Sequence, residues 1–221
     1  GSLEDEAAWL RARVQVGELK QNNLELAADL GHAAASEDRT SRVAVVTTHL
    51  ALHDWAWVLS RSSPETGNRC AVVGGRIAYA LLEHRHPERV QPLLRFRLLL
   101  DSLEKLLLGG DSRSDVELFL AEWQSPASRL DRTQLDYLPA GDCHNALNAL
   151  YVSANCALCG STDQRRTASW HSGKVLIKLR HKTPQDLQVA VAAELVPWAL
   201  GYSDPVRERV EARQQAEAAG E

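Results

Sequence analysis

Methionine is absent from this chain, phenylalanine occurs twice, and aromatic residues of all kinds make up 5% of it. The missing methionine carries no chemical information. The scarcity of aromatics, together with few runs of Val, Ile or Thr, tells against a sheet protein, whose pleated faces those residues fill. No apolar run approaches the roughly 20 residues of a membrane-spanning helix, and no secretory leader is visible. The four cysteines are unevenly spaced and do not read as a disulfide framework, so a reducing, cytoplasmic setting is expected. No Gly-rich phosphate loop is present, because Gly74-Gly75 lacks both the required pattern and a preceding strand. GxSxG, HExxH and kinase motifs are missing too. No repeat of constant length marks a regular solenoid. The net charge of −4 excludes a chain that binds polyanions by bulk charge alone.

What is present favours helix. Hydrophobic residues are 44% of 221, enough for a substantial core, and alanine and leucine dominate among them. Gly1-Ser2 reads as the scar of a removed tag. Ser2 and Asp5 resemble a capping box with the shorter acid, and Glu4, Asp5 and Glu6 suit a helix N-terminus. Trp9, Leu10, Val14 and Val16 supply apolar positions up to Gly17, a C-cap. A second short helix carries Leu24, Leu26, Ala27 and Leu30 before Gly31. Residues 1–36 therefore form an N-terminal helical hairpin.

A polar hinge over 36–41 leads to a main bundle spanning 42–205. Its first helix runs from about Arg42 to Leu59. Ser62 to Asn68 reads as the strongest loop of the first half. Arg69 to Glu83 is helical, and its glycine pair Gly74-Gly75 marks a close crossing of another helix. Pro87 opens a Leu-rich helix whose apolar residues wrap more than one face, as a central buried helix does. Gly109-Gly110-Asp111-Ser112 ends it. Shorter helices follow over Asp115–Trp123, Leu130–Leu138 and Asp142–Cys159. Lys174 to Arg180 reads as helix, with a short strand as the alternative. Pro184 opens a last core helix that Pro197 should kink or end. Residues 206–221 form a charged tail expected to fray. The expected fold is all-α, an irregular bundle of about eight to ten helices.

Three constellations invite chemistry. His49 and His53 lie one turn apart and would face one metal, but a zinc site needs three or four ligands. Cys156 and Cys159 have CxxC spacing at a helix C-terminus, where the dipole does not activate thiols. On one helix, Cys143 would sit about 20 Å from Cys156. No metal ligand and no cofactor are assigned on these grounds. The third is the window Gln164–Gln185, which holds six Lys/Arg and no carboxylate. Arg165, Arg166, Lys174, Lys178, Arg180 and Lys182, with Trp170 among them, form the expected partner-binding set. Their field suits an acidic protein surface. Nucleic acid is the less favoured partner, since no named binding motif accompanies the charges.

Leu3 to Ala35, with Arg11-Ala12-Arg13-Val14 and Leu24-Glu25-Leu26-Ala27-Ala28-Asp29-Leu30-Gly31-His32, resembles the helical opening of a group of uncharacterised Ala-rich bacterial proteins. Glu194-Leu195-Val196-Pro197-Trp198 followed by Gly201-Tyr202-Ser203-Asp204-Pro205 is similar as well. Some of that group are counted among predicted immunity proteins of bacterial toxin systems. The resemblance implies a helical surface that occludes a toxin or effector and carries over no functional residue. The expected function is thus a non-enzymatic protein-binding module, of immunity type in its most concrete form, with Trp170 or Trp198 as an anchor if exposed. The alternatives are a metal-dependent helical enzyme using His49 and His53, or a nucleic-acid binder acting through residues 164–185.

Overall fold

The computed structural model describes residues 1–37, 63–85, 90–124, 158 and 184–220. Among them the chain is all-α, with eight helices. They are α1 (Leu3–Gln15), α2 (Gln21–Asp29), α3 (Ala33–Ser36), α4 (Pro64–Arg85), α5 (Val90–Leu107), α6 (Arg113–Gln124), α7 (Pro184–Leu200) and α8 (Pro205–Ala219). The helices expected over 42–59, 130–138 and 142–159, and the segment 174–180, lie outside the described residues apart from Leu158.

Local rules set most helix ends. Ser2 Oγ accepts the Asp5 amide at 3.1 Å and the Ser2 amide donates to Asp5 Oδ2 at 2.9 Å, so the capping box forms with an aspartate. Asp5 is held below its ordinary pKa by the Ser2 backbone amide and then by the Ser2 hydroxyl. Helix α7 closes through Gly201 at φ +67°. There the Gly201 amide donates to the Trp198 carbonyl and the Tyr202 amide to the Pro197 carbonyl, at 3.1 and 2.9 Å. This paired closure needs a left-handed residue, which glycine adopts without a Cβ clash.

One expectation fails and another is narrowed, each for a local reason. Residues Ser62–Asn68 are not a loop throughout, because α4 begins at Pro64. Ser63 Oγ accepts the Thr66 amide at 3.0 Å, so Ser-Pro-Glu is a helix start with proline in the first turn, where its missing amide costs nothing. Pro197 does not end α7, which continues to Leu200. The bond that proline removes falls within a turn of an end already closed by Gly201.

Among the described residues, packing produces two apolar clusters joined by α7. Ala7 and Leu10 of α1, Leu19, Leu24, Ala27 and Ala28 around α2, and Ala34 and Ala35 of α3 close on Leu200 at the end of α7. The second cluster gathers Val72 of α4, Leu99, Leu100 and Leu103 of α5, and Val116 and Leu120 of α6, with Leu158 against it. Helix α7 packs on both α2 and α4, which explains a sequence apolar nearly all round. Gly75 is buried and α4 runs unbroken through Gly74-Gly75; α5 is its principal neighbour. Helix α5 is less enclosed than its leucines suggest. Leu99, Leu100 and Leu103 are buried, whereas Leu94 and Leu98 are exposed.

The C-terminal segment does not fray. Helix α8 is capped by Asp204, packs on α5 and α7, and buries Val206 and Val210. Each buried valine contributes roughly 1.5–3 kcal/mol. Val206→Ala and Val210→Ala should each lower unfolding free energy by about 2 kcal/mol in a urea titration. Gln214→Ala, on an exposed position of the same helix, should stay within about 0.5 kcal/mol of the parent.

Candidate functional site

Among the described residues, the deepest polar feature is a charge network centred on Glu104, which is fully buried. Asp101 and Glu104 stand three residues apart and so share a face of α5. Arg76 reaches them from α4, Arg209 and Arg213 from successive turns of α8, and Glu194 joins from α7. Glu104 Oε1 accepts from Arg76 Nε at 2.5 Å and Arg209 Nε at 2.8 Å. Its Oε2 accepts from Arg76 Nη2 and, at 2.7 Å, from Arg213 Nη2. Arg209 also makes a two-pronged contact with Glu194, with Nη1 at 2.9 Å from Oε2. Asp101 Oδ1 lies 3.3 Å from Arg213 Nη1 and 3.9 Å from Arg76 Nη2.

Among the described residues, three arginines pair with three carboxylates in this network, and the charge of Arg97 also acts on Asp101. Burial alone would push the Glu104 carboxyl up, but the Arg76 hydrogen bonds and charge, aided by Arg209 and Arg213, hold it below its usual value. Asp101 goes the other way, because burial outweighs Arg213 and Arg76 and the neighbouring Glu104 adds to the rise. Glu104 takes four guanidinium bonds, one for each lone-pair direction a carboxylate offers. So saturated a group is a poor general acid or base, and the network acts as a clamp on four helices.

A second pair fixes the start of α8. Arg69, 2% exposed, donates from Nη1 and Nη2 to the two oxygens of Asp204, both at 2.8 Å. Glu65 Oε1 lies 3.3 Å from its Nε. Asp204 also accepts the Val206 and Arg207 amides at 3.1 and 3.4 Å. Burial would raise its pKa, but the Arg69 hydrogen bonds and charge prevail and lower it. The Arg69 guanidinium stacks 4.3 Å from the Trp198 ring centre. Trp198, an expected anchor, is therefore half-buried and engaged in roofing an internal cation.

The aromatic pair at the surface lies elsewhere, where α1 meets the turn between α7 and α8. Trp9 is 48% and Tyr202 45% exposed, and their rings stack with centres 5.9 Å apart and planes inclined by 24°. Arg13, one turn beyond Trp9, sets its guanidinium 4.7 Å from the indole centre and donates to the Leu200 carbonyl at 2.7 Å. Tyr202 donates its hydroxyl to Glu6 Oε1 at 2.7 Å. Burial, then the Glu6 hydrogen bond and charge, raise the phenol to about 12. The His32 ring meets Tyr202 edge-on at 6.3 Å. Spacing explains the stripe: Glu6, Trp9 and Arg13 recur every three or four positions on one side of α1, while Ala7 and Leu10 face the core.

The sequence-expected partner-binding residues Arg165, Arg166, Trp170, Lys174, Lys178, Arg180 and Lys182 lie outside the described residues, as do His49, His53, Cys143, Cys156 and Cys159. Trp9 was expected among the apolar positions of α1 and is half-exposed instead. Its offset from Ala7 and Leu10 on a helical projection carries the signal. Nothing local announces that Tyr202, from the far end of the chain, would stack on it. Among the described residues, no group of three His, Cys, Asp or Glu could hold a metal ion, and no helix is long and apolar enough to cross a membrane. No protein family, curated protein or solved structure matches the chain.

Glu104→Ala leaves Arg76, Arg209 and Arg213 with only Asp101 and Glu194 to answer three positive charges, and should cost about 3 kcal/mol of stability at neutral pH. Glu104 and Asp204 have lowered folded-state pKa values, so their contribution is complete above the ordinary carboxylate range of about 4. It is lost as pH falls through their folded values, with Asp101 opposing in sign. Urea titrations across acid pH should therefore show the gap between parent and Glu104→Ala narrowing as pH drops.

Proposed function

We propose that the chain is a non-enzymatic protein-binding module, with an immunity-type occlusion of a toxin or effector as its most specific form. The observation that carries this reading is the stacked, half-exposed Trp9–Tyr202 pair, fixed from beside and below by Arg13, Glu6 and the Leu200 carbonyl. Tryptophan, tyrosine and arginine are the residues that dominate protein interfaces, and rings already held in place lose little freedom on binding. The ion pairs around Glu104 and Asp204 serve the scaffold, which leaves shape and surface aromatics as its working parts. The basic set Arg165, Arg166, Lys174, Lys178, Arg180 and Lys182, with Trp170, is assigned to steering an acidic partner into contact. Nucleic-acid binding through residues 164–185 and a metal site at His49 and His53 remain the alternatives. Steep loss of binding with salt would mark the first, and stoichiometric metal in untagged protein the second.

The test is coexpression with products of the genes flanking its own, followed by association kinetics on any complex recovered. Trp9→Ala and Tyr202→Ala should each weaken the complex by about tenfold or more, mainly through faster dissociation. Charge reversal at Arg165, Arg166, Lys178 and Arg180 should slow association and flatten its salt dependence. Unchanged kinetics in both sets of variants would refute the reading.

A further inference from the structure

Helix α1 is charged oppositely at its two ends and carries an exposed indole at its middle. Glu4, Asp5 and Glu6 occupy its first turn and Arg13 its last, and Trp9 is the central residue of Leu3–Gln15. Asp5, Trp9 and Arg13 are spaced by four, so acid, ring and base follow one another along one stripe. Ala8, Ala12 and Val16 lie beside that stripe and are exposed, Val16 to 70%. The helix packs inward through Ala7 and Leu10, chiefly on α3. Tyr202, stacked on Trp9, extends the apolar surface sideways.

A stripe ordered negative, aromatic, positive becomes its own complement when turned end for end. A second copy laid antiparallel about a twofold axis at Trp9 brings Asp5 of each copy opposite Arg13 of the other and sets the two indoles side by side. A parallel arrangement would put like charges together, which interfaces avoid. Ala8 and Ala12 add little bulk, so the two helix axes can approach to the roughly 8–10 Å of ordinary helix packing. Asp5 is already held by the Ser2 amide, and Arg13 by the Leu200 carbonyl and the indole. Side chains so ordered lose little further freedom on pairing.

We propose that the Trp9–Tyr202 face is closed by a second copy of this chain, through a twofold antiparallel pairing of α1. One helix against one helix lies at the small end of protein interfaces, below about 1,200 Å² in total, so the pair forms weakly and dissociates readily. It hides the rings that a partner protein would grip. Self-association and partner capture therefore exclude each other, and the chain is held in reserve where it is concentrated. That consequence rests on the docking role proposed for Trp9 and Tyr202, whereas the pairing itself does not.

The test is sedimentation equilibrium of the full chain up to about 1 mM, a concentration at which weak interfaces assemble. A monomer–dimer equilibrium is expected. The twofold axis at Trp9 sets Ala12 of each copy opposite Glu6 of the other. Ala12→Lys should therefore strengthen the dimer by about fivefold and Ala12→Glu weaken it by about as much, since each change acts twice across the axis. Ala12 is exposed and both replacements are good helix formers, so circular dichroism of the two variants should match the parent. Trp9→Ala should abolish the dimer. A chain that stays monomeric at about 1 mM overturns the pairing. So does a dimer indifferent to the sign of the charge at position 12, or one that survives Trp9→Ala. Each of these results leaves the effect of Trp9→Ala on a partner complex as a separate measurement.

Discussion

A single buried carboxylate adds a directional constraint to helices that already share apolar contacts. Glu104 lies on α5, yet its partners come from α4 and α8, and through Arg209 it is tied to Glu194 on α7. Apolar packing is permissive about how two helices cross, since leucines and alanines interdigitate in many registers. Guanidinium bonds to a buried carboxylate are not permissive, because a shift of register leaves a charge without a partner away from water. Among the described residues the apolar clusters around Leu10 and Leu103 bury nonpolar surface, and the Glu104 network adds a register-sensitive constraint to that packing.

The same logic explains what was legible in the sequence. Helix class, the capping box at Ser2, and the stops at Gly17, Gly31, Gly109 and Gly201 are local signals, and the structure has all of them. Periodicity also places Leu10, Leu24 and Leu103 inside. Failures occur where tertiary contacts override local composition. Residues 206–221 read as a charged tail, yet Arg209 and Arg213 turn toward Glu104. Asp204 reads as part of a stop signal, and only the fold reveals that it receives Arg69 from 135 residues away.

The candidate site was less legible than the fold. Trp9 could be placed off the apolar face of α1 by counting helical positions, but a lone exposed tryptophan has many innocent explanations. Tyr202, Glu6, Arg13 and His32 give it meaning, and they come from three separate stretches of sequence. Conversely, Trp198 has the composition of an anchor and instead covers Arg69. Aromatic content alone therefore does not distinguish a recognition surface from the lid of an internal ion pair. Relative placement does.

The bond from Arg13 to the Leu200 carbonyl spans 187 residues, and the apolar cluster beneath it also waits for Leu200. A ribosome makes the first helices long before it makes α7. Until then the cluster of Ala7, Leu10 and Leu24 lacks its Leu200 contact. The α1–α3 segment, which ends at Ser36 of 221 residues, therefore completes its cluster only when α7 joins it, a contact of high sequence separation. Such an order of assembly leaves apolar surface of the first helices uncovered by Leu200 while the rest of the chain is still being made.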